Sequence, residues 1–323
     1  MAELPLVSHI LCIYNVERYI EKSIRSVLGQ TYGNIEFILI DDGSTDHSID
    51  IVRSVAAEFP HLQSRIRIIR TENRGLPAAR RLGILEARGE YILFSDPDDF
   101  CARSQVEKLV AKAVKEDADM VICNLWNMYP HILVPRREKR YATKKEILRA
   151  LSTHHHFRGY VWNKLVRREI YLKCIDFIPP ASHCEDLVLT IPAVFFSRKI
   201  VQLRDRLYFY RKRNLSSISH TDKKTRTRGT VLNTMELFMK WRPCNPSPFT
   251  GIEESFLMVV ASQIYRQGLT DQFDRYPVIM ETLLPIAPDL PSRRYREDMS
   301  YKDQLLLKRN LLETATAQHR GGF

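Results

Sequence analysis

The chain of 323 residues has little of what marks several protein classes. Glycine is scarce at 12 residues and proline numbers 16, which excludes collagen-like and low-complexity chains. No run of about 18 uninterrupted apolar residues occurs, which argues against a spanning helix. The opening MAELPLVSHI carries Glu3 and no basic leader, so we expect no secretory signal and a cytoplasmic protein. The six cysteines, Cys12, Cys101, Cys123, Cys174, Cys184 and Cys244, never fall at CxxC spacing. They read as reduced, buried thiols, not as a disulfide framework. Positive charge, by contrast, is plentiful. Lys and Arg total 49 against 38 Asp and Glu, a formal net charge of +11. Such a surface favours phosphate-rich partners: nucleic acid, nucleotides or an anionic membrane face.

Two hydrophobic periods alternate through the first part of the chain. Leu6 to Tyr14, Ile35 to Ile40, Arg65 to Arg70 and Tyr91 to Phe94 read as strands. Between them, Ile20, Ile24, Val27 and Leu28, then Ile49, Val52 and Val55, then Leu76 to Ala87, fall at helical spacing. Asn15 is a candidate N-cap for the first helix, and Gly89 closes the third. Helix-like Val106 to Val114 and strand-like Met120 to Leu125 follow. This order predicts a mostly parallel α/β sheet covered by helices, with ligands at the carboxyl ends of the strands. Beyond about residue 130 the pattern weakens. Tyr129 to Tyr141 reads as a loop, Lys144 to Leu151 as a helix, and Val161 to Leu172 as a short helix preceded by a loop. The segment 204–228 carries nine Lys/Arg against two Asp. From Glu253 to Gln267 and from Asp303 to Thr314 the pattern is helical again.

Two acidic clusters fall at predicted strand ends. In Asp96-Pro97-Asp98-Asp99, three carboxylates repel one another, and a bound cation would relieve that cost. Carboxylate oxygens suit Mg or Mn, which also bind diphosphates. An acidic turn capping the next helix is the simpler alternative. In Asp41-Asp42-Gly43-Ser44-Thr45-Asp46, turn and cap chemistry explains Gly43 onward but leaves Asp41 and Asp42 free to meet a base or ribose. Glu72 to Arg81 is a basic loop entering a helix, suited to phosphates or to solvent. Glu185-Asp186 precedes an apolar run, either as helix N-terminal charge or as a general base. Tyr208 to Arg213 followed by Ser216 to His220 mixes aromatics, bases and hydroxyls. Trp162 could stack on an acceptor sugar or pack in the core, and His154-His155-His156 reads as a surface loop.

In this order, the strings VSHILCIYNVERYIEKSIRSVLGQTYGNIEFILIDDGSTDHS, ENRGLPAARRLG and GEYILFSDPDD closely resemble family 2 glycosyltransferases dependent on nucleotide-diphosphate sugars. The resemblance continues more loosely through WNKLVRRE, CEDLVL and YFYRKRNLSSIS, covering roughly residues 5–220. It implies a GT-A fold, a Rossmann-like, mostly parallel sheet flanked by helices, with a divalent Mn or Mg ion and inverting sugar transfer. It implies that Tyr14 lies against a uracil ring, Asp41 and Asp42 contact the nucleoside, and Arg80 lines the base or phosphate pocket. Asp96 would reach the ribose or a metal-bound water, and Asp98 would ligate the metal, with His220 a candidate second ligand. Asp186, with Glu185 beside it, would be the base. Arg211, Ser217 and Ser219 would close over the diphosphate. The chain departs from the family at Pro97, Arg81 and Pro77, which stand where a small residue, Asn and Ser are usual. The processive QxxRW signature is absent, so single-sugar transfer is implied.

The resemblance also implies a UDP-sugar donor and a glycan or lipid-linked acceptor in surface-polysaccharide or lipopolysaccharide assembly, with peripheral contact at the cytoplasmic membrane. Leu305, Leu306, Leu307, Leu311 and Leu312 around Lys308 and Arg309 read as a helix packed on the catalytic domain or lying on anionic lipid. We expect a catalytic domain over 1–220, with nucleotide-sugar binding in about 1–125 and the acceptor and base region in about 126–220. A mainly helical C-terminal region would then span 221–323. A non-catalytic nucleotide-sugar binder is one alternative. A basic nucleic-acid-binding protein is another, opposed by the lack of zinc-finger or RNP-like strings, so no nucleic-acid partner is expected.

Overall fold

The computed structural model describes residues 4–152, 159–178 and 185–212, together with Asn233 and Leu237. The expectations for Ser217, Ser219, His220, the three histidines, Cys184, Cys244 and the C-terminal helices lie outside the described residues.

The chain begins with the strand β1 (Val7–Ile13), the helix α1 (Ile20–Leu28), β2 (Ile35–Asp41) and α2 (Ser48–Ala57). A 3-10 turn leads to β3 (Ile66–Arg70), α3 (Leu76–Glu86), β4 (Tyr91–Ser95), the two-residue β5 (Phe100–Cys101) and α4 (Gln105–Glu116). Then come β6 (Met120–Tyr129), β7 (Ile132–Arg136), α5 (Lys144–Ser152), β8 (Lys164–Arg167), α6 (Arg168–Lys173), α7 (Glu185–Phe196) and β9 (Ile200–Arg211). All nine strands join one sheet in the order β3-β2-β1-β4-β8-β6-β9-β5, with β7 paired to β6. The strands β3, β2, β1 and β4 run parallel, as the alternating periods require. Between β4 and β6, β8 is antiparallel to both, so β6 runs in the same direction as β4.

The period of two divides each central strand between two apolar layers. Leu11, Ile13, Phe37, Leu39 and Leu93 face one side, against Ile20, Ile24 and Val27 of α1, Val52 of α2 and Leu109 of α4. Ile10, Cys12, Ile38, Ile40, Ile92 and Phe94 face the other, against Ala79 and Ile84 of α3, Leu148 and Leu151 of α5, and Val188 and Leu189 of α7. Burial on both faces is the reason these strands read as continuous apolar runs. Cys12, Cys101, Cys123 and Cys174 are buried free thiols, as expected.

Four local expectations are corrected. Within Tyr129 to Tyr141, residues Ile132–Arg136 form a strand, because Pro130 and His131 make a two-residue turn that folds them back on β6. Within Val161 to Leu172, only the end is helical, since Leu165 and Val166 are buried between β4 and β6. Asn15 does not cap α1, which starts five residues later. It sits at φ 48°, and its Oδ1 accepts the Thr45 N–H at 2.9 Å, tying the β1 end to the β2–α2 loop. Gly89 does not end α3 as a left-handed cap; it lets the chain pass so close to β1 that a Cβ would stand 2.6 Å from the Ser8 nitrogen.

Candidate active site

The parallel strands β1, β2 and β4 end side by side, and their loops carry the acidic clusters. The turn after β2 depends on Gly43, at φ 77°, where a Cβ would come within 2.8 Å of the Asn73 nitrogen. Asp41 is buried; its Oδ1 accepts the Ser44 N–H at 2.8 Å and its Oδ2 lies 3.3 Å from Arg70 Nε without accepting a hydrogen bond. Asp42 organises the next loop, since its two oxygens accept the N–H groups of Arg74 and Gly75, each at 2.9 Å. Those bonds fix the entry of α3. Tyr14, just past β1, is 45% exposed beside this loop system.

Arg80, on α3, is 3% exposed and bonds three carboxylates. Its Nη2 lies 3.2 Å from Asp96 Oδ1, and its Nη1 contacts Glu185 Oε1 at 3.0 Å and Asp186 Oδ1. Glu185 and Asp186 open α7, more than a hundred residues from Arg80 in sequence. Burial opposes the Arg80 charge, but Asp186, Glu185 and Asp96 outweigh it and hold the guanidinium above its usual pKa. The acids carry the cost. Burial, reinforced by Asp186, pushes Glu185 up to about 8. Burial also pushes Asp96 up to about 7, with Arg80 opposing and Asp186 and Asp98 adding to the rise.

The acidic turn after β4 brings Asp96, Asp98 and Asp99 together, with one oxygen of each within 4.8 Å of the others. Asp99 Oδ1 accepts the Arg211 N–H at 2.7 Å, while its buried Oδ2 accepts nothing. Burial and the neighbouring Asp98 and Asp96 raise its pKa well above the ordinary range. Arg211, at the end of β9, also donates from Nε to the Asp98 carbonyl at 2.9 Å, and its guanidinium stands 4.7 Å from the Tyr19 ring centroid. Arg211 therefore braces the acidic turn. Five carboxyl groups meet here, three of them sharing buried Arg80 as counter-charge, and one buried oxygen of Asp99 accepts no hydrogen bond. A divalent cation fits that donor set: hard oxygen ligands, clustered, and short of positive charge.

The sequence left open whether Trp162 stacks on a sugar or packs in the core. Trp162 is 1% exposed, stacked between Tyr160 at 4.4 Å and Tyr208 at 4.1 Å between centroids. Both its faces are covered, so it packs in the core and cannot stack on a sugar. The Tyr208 hydroxyl accepts the Asp96 N–H at 3.0 Å, which makes the stack the floor of the acidic turn. The run Tyr208–Arg211 is the end of β9. Asp99 was visible in sequence as a third acid, but its buried oxygen shows only in three dimensions.

Comparisons with known proteins agree with this architecture. Residues 8–180 match the family model described as glycosyl transferase family 2. EpsH of Bacillus subtilis, named as a glycosyltransferase, is 34% identical over 238 residues, which cover 71% of this chain and 67% of EpsH. Among solved structures, Staphylococcus aureus TarS 1-349 in complex with UDP-GlcNAc superposes with a TM-score of 0.61 at 18% identity, covering 98% of this chain and 93% of that one. The mannosyltransferase PcManGT of Pyrobaculum calidifontis, in complex with GDP-Man and Mn2+, gives 0.56 at 17% identity, covering 98% and 87%. The α/β architecture is the one shared by these GT-A structures.

Proposed function

The chain belongs to glycosyl transferase family 2 and is a glycosyltransferase, and on that premise we propose that it moves one sugar from a UDP-sugar to a hydroxyl of a glycan or lipid-linked acceptor, with inversion. The observation that carries this reading is the cluster of Asp96, Asp98, Asp99, Glu185 and Asp186 around buried Arg80 at the strand ends. The complexes of TarS with UDP-GlcNAc and of PcManGT with GDP-Man and Mn2+ support a nucleotide-sugar donor and a divalent ion.

In this reading Tyr14 offers its exposed ring to the uracil face, and Asp41, whose Oδ2 is ion-paired with Arg70 but accepts no hydrogen bond, offers that oxygen to the base N3–H. Asp96, Asp98 and Asp99 would hold Mn or Mg. Bound there, the ion would offset the charge that builds on the diphosphate leaving group. Arg80 keeps Asp186 oriented toward the sugar. Asp186 takes the acceptor proton as the hydroxyl oxygen attacks the anomeric carbon from the face opposite the diphosphate. Burial, reinforced by Asp186, raises Glu185 and favours its protonated form, which suits it to support Asp186 as the base. Surface-polysaccharide or lipopolysaccharide assembly, with peripheral contact at the membrane, is the setting we propose. Among the described residues no helix is long and apolar enough to cross a membrane.

The test is UDP release from a panel of UDP-sugars with Mn, with and without simple acceptors. Release from one sugar, abolished in Asp98→Ala and lowered about 10²- to 10⁴-fold in Asp186→Asn, is the expected outcome. Absence of release from every sugar, with no UDP binding by calorimetry, would overturn the UDP assignment.

A further inference from the structure

We propose that the tip of the β6–β7 hairpin seats this protein on an anionic lipid bilayer, with the sheet end that carries the acidic cluster turned toward the lipid surface. The inference builds on the lipid-linked acceptor reading above and names the contact it requires.

The hairpin closes at the Tyr129–Ile132 pair, around Pro130 and His131. Consecutive strand residues point to opposite faces, yet Ile132 is 62% and Leu133 45% exposed. Apolar surface is therefore open on both faces of the tip. Single exposed apolar residues are ordinary, but two adjacent ones at a hairpin turn form a feature that lipid covers well. Behind it, Arg136, Arg137, Lys139 and Arg140 are all exposed, whereas the acid among them, Glu138, is buried. Among the described residues no ion pair holds Arg136, Arg137 or Arg140. Apolar residues at the tip with exposed cations three to seven residues further along the chain match the layering of acyl chain and phosphate headgroup.

Register gives the orientation. Met120 of β6 is level with Val166 of β8, which is level with Ile92 of β4, and β6 and β4 run in the same direction. Ser95 ends β4 three residues past Ile92, while Tyr129 lies nine past Met120. Met128, next to the tip, pairs with Arg211 of β9, whose N–H donates to Asp99 at 2.7 Å, so the tip stands beside the acidic turn at the same end of the sheet. A lipid headgroup met by the tip would face the acidic cluster.

A second copy of the chain is the competing occupant, since β7 pairs only with β6 among the described residues and leaves an edge. Pro135 has no N–H to offer across that edge, and edge-to-edge pairing would press two Arg136–Arg137 clusters together. Charge favours the bilayer.

The experiment is flotation of the full chain with vesicles of phosphatidylglycerol and phosphatidylethanolamine, against phosphatidylcholine alone. Binding is expected to the anionic vesicles only and to weaken in 0.5 M salt. Arg136→Gln with Arg137→Gln should lower the partition coefficient about 25-fold, at about fivefold for each cation removed. Ile132→Ser with Leu133→Ser should also reduce binding. Both variants should release UDP from soluble donor at the wild-type rate, which shows that they fold and separates this test from that of the transfer reaction. Wild type that fails to float, variants that float equally well, or a concentration-dependent dimer lost in the variants without vesicle binding would each overturn the proposal.

Discussion

Replacing Arg80 with Met tests the electrostatic account of the site most directly. The guanidinium is 3% exposed and is the buried partner of Asp96, Glu185 and Asp186 at once. Methionine conserves much of the volume, so packing changes little and the missing charge dominates. Removing one member of a buried ionic cluster costs about 3–5 kcal/mol. Against a typical domain stability of about 5–15 kcal/mol, that is a large fraction. With a urea m-value of about 3 kcal/mol/M, the midpoint should fall by roughly 1–1.7 M. The loss should depend on pH. Arg80 lowers the pKa of both Asp96 and Glu185, so without it their carboxyls protonate more readily and shed the uncompensated charge. The deficit should therefore be smaller at pH 6 than at pH 8. Arg80→Lys should recover only part of the stability, because a single ammonium cannot fork to carboxylates on three sides. Paired urea titrations of wild type, Arg80→Met and Arg80→Lys at both pH values measure all of this. A deficit below about 1 kcal/mol at pH 8, or an equal deficit at pH 6 and pH 8, would refute the counter-charge reasoning.

In the metal-free protein the raised carboxyls set a stability trend of definite sign. Asp96 at about 7 and Glu185 at about 8 keep their protons after the unfolded chain has lost them near pH 4, so the folded state binds more protons between. Stability from these groups is present below pH 4 and is lost as pH rises through 7 to 8, so melting in EDTA should fall across that window. Mn should raise the melting temperature more at pH 8 than at pH 6, and a Mn effect independent of pH would contradict it. For Trp162→Ala, loss of the ring between Tyr160 and Tyr208 should cost about 3–5 kcal/mol and remove near-ultraviolet dichroism. A change under about 1 kcal/mol would show that the stack is not a packed floor.

Much of the fold was legible because its signals are local. Continuous apolar runs such as Ile35 to Ile40 become strands buried on both faces, and helical spacing in Ile20 to Leu28 becomes a face on the sheet. Both acidic clusters were visible as strings, and their position after strands follows from the alternation. The misses are all non-local. Lys164–Arg167 is too short to announce a strand, and it becomes one only because β4 and β6 leave a gap of its width. Asn15 looks like a cap in the chain, but its partner is the backbone thirty residues later. The edge strand β7 contains Pro135, which hides it from propensity reasoning while an edge tolerates it.

The sequence alone therefore determined the α/β alternation, the end of the sheet at which the acidic clusters gather, and the kinds of acid found there, since periodicity and turn residues act over a few positions. Only the tertiary structure decided which groups meet. It brought Arg80 to Glu185 and Asp186 across more than a hundred residues and left one oxygen of Asp99 buried without a donor. It also closed both faces of Trp162. Charge compensation and stacking depend on distances across the folded chain, and no local pattern encodes them.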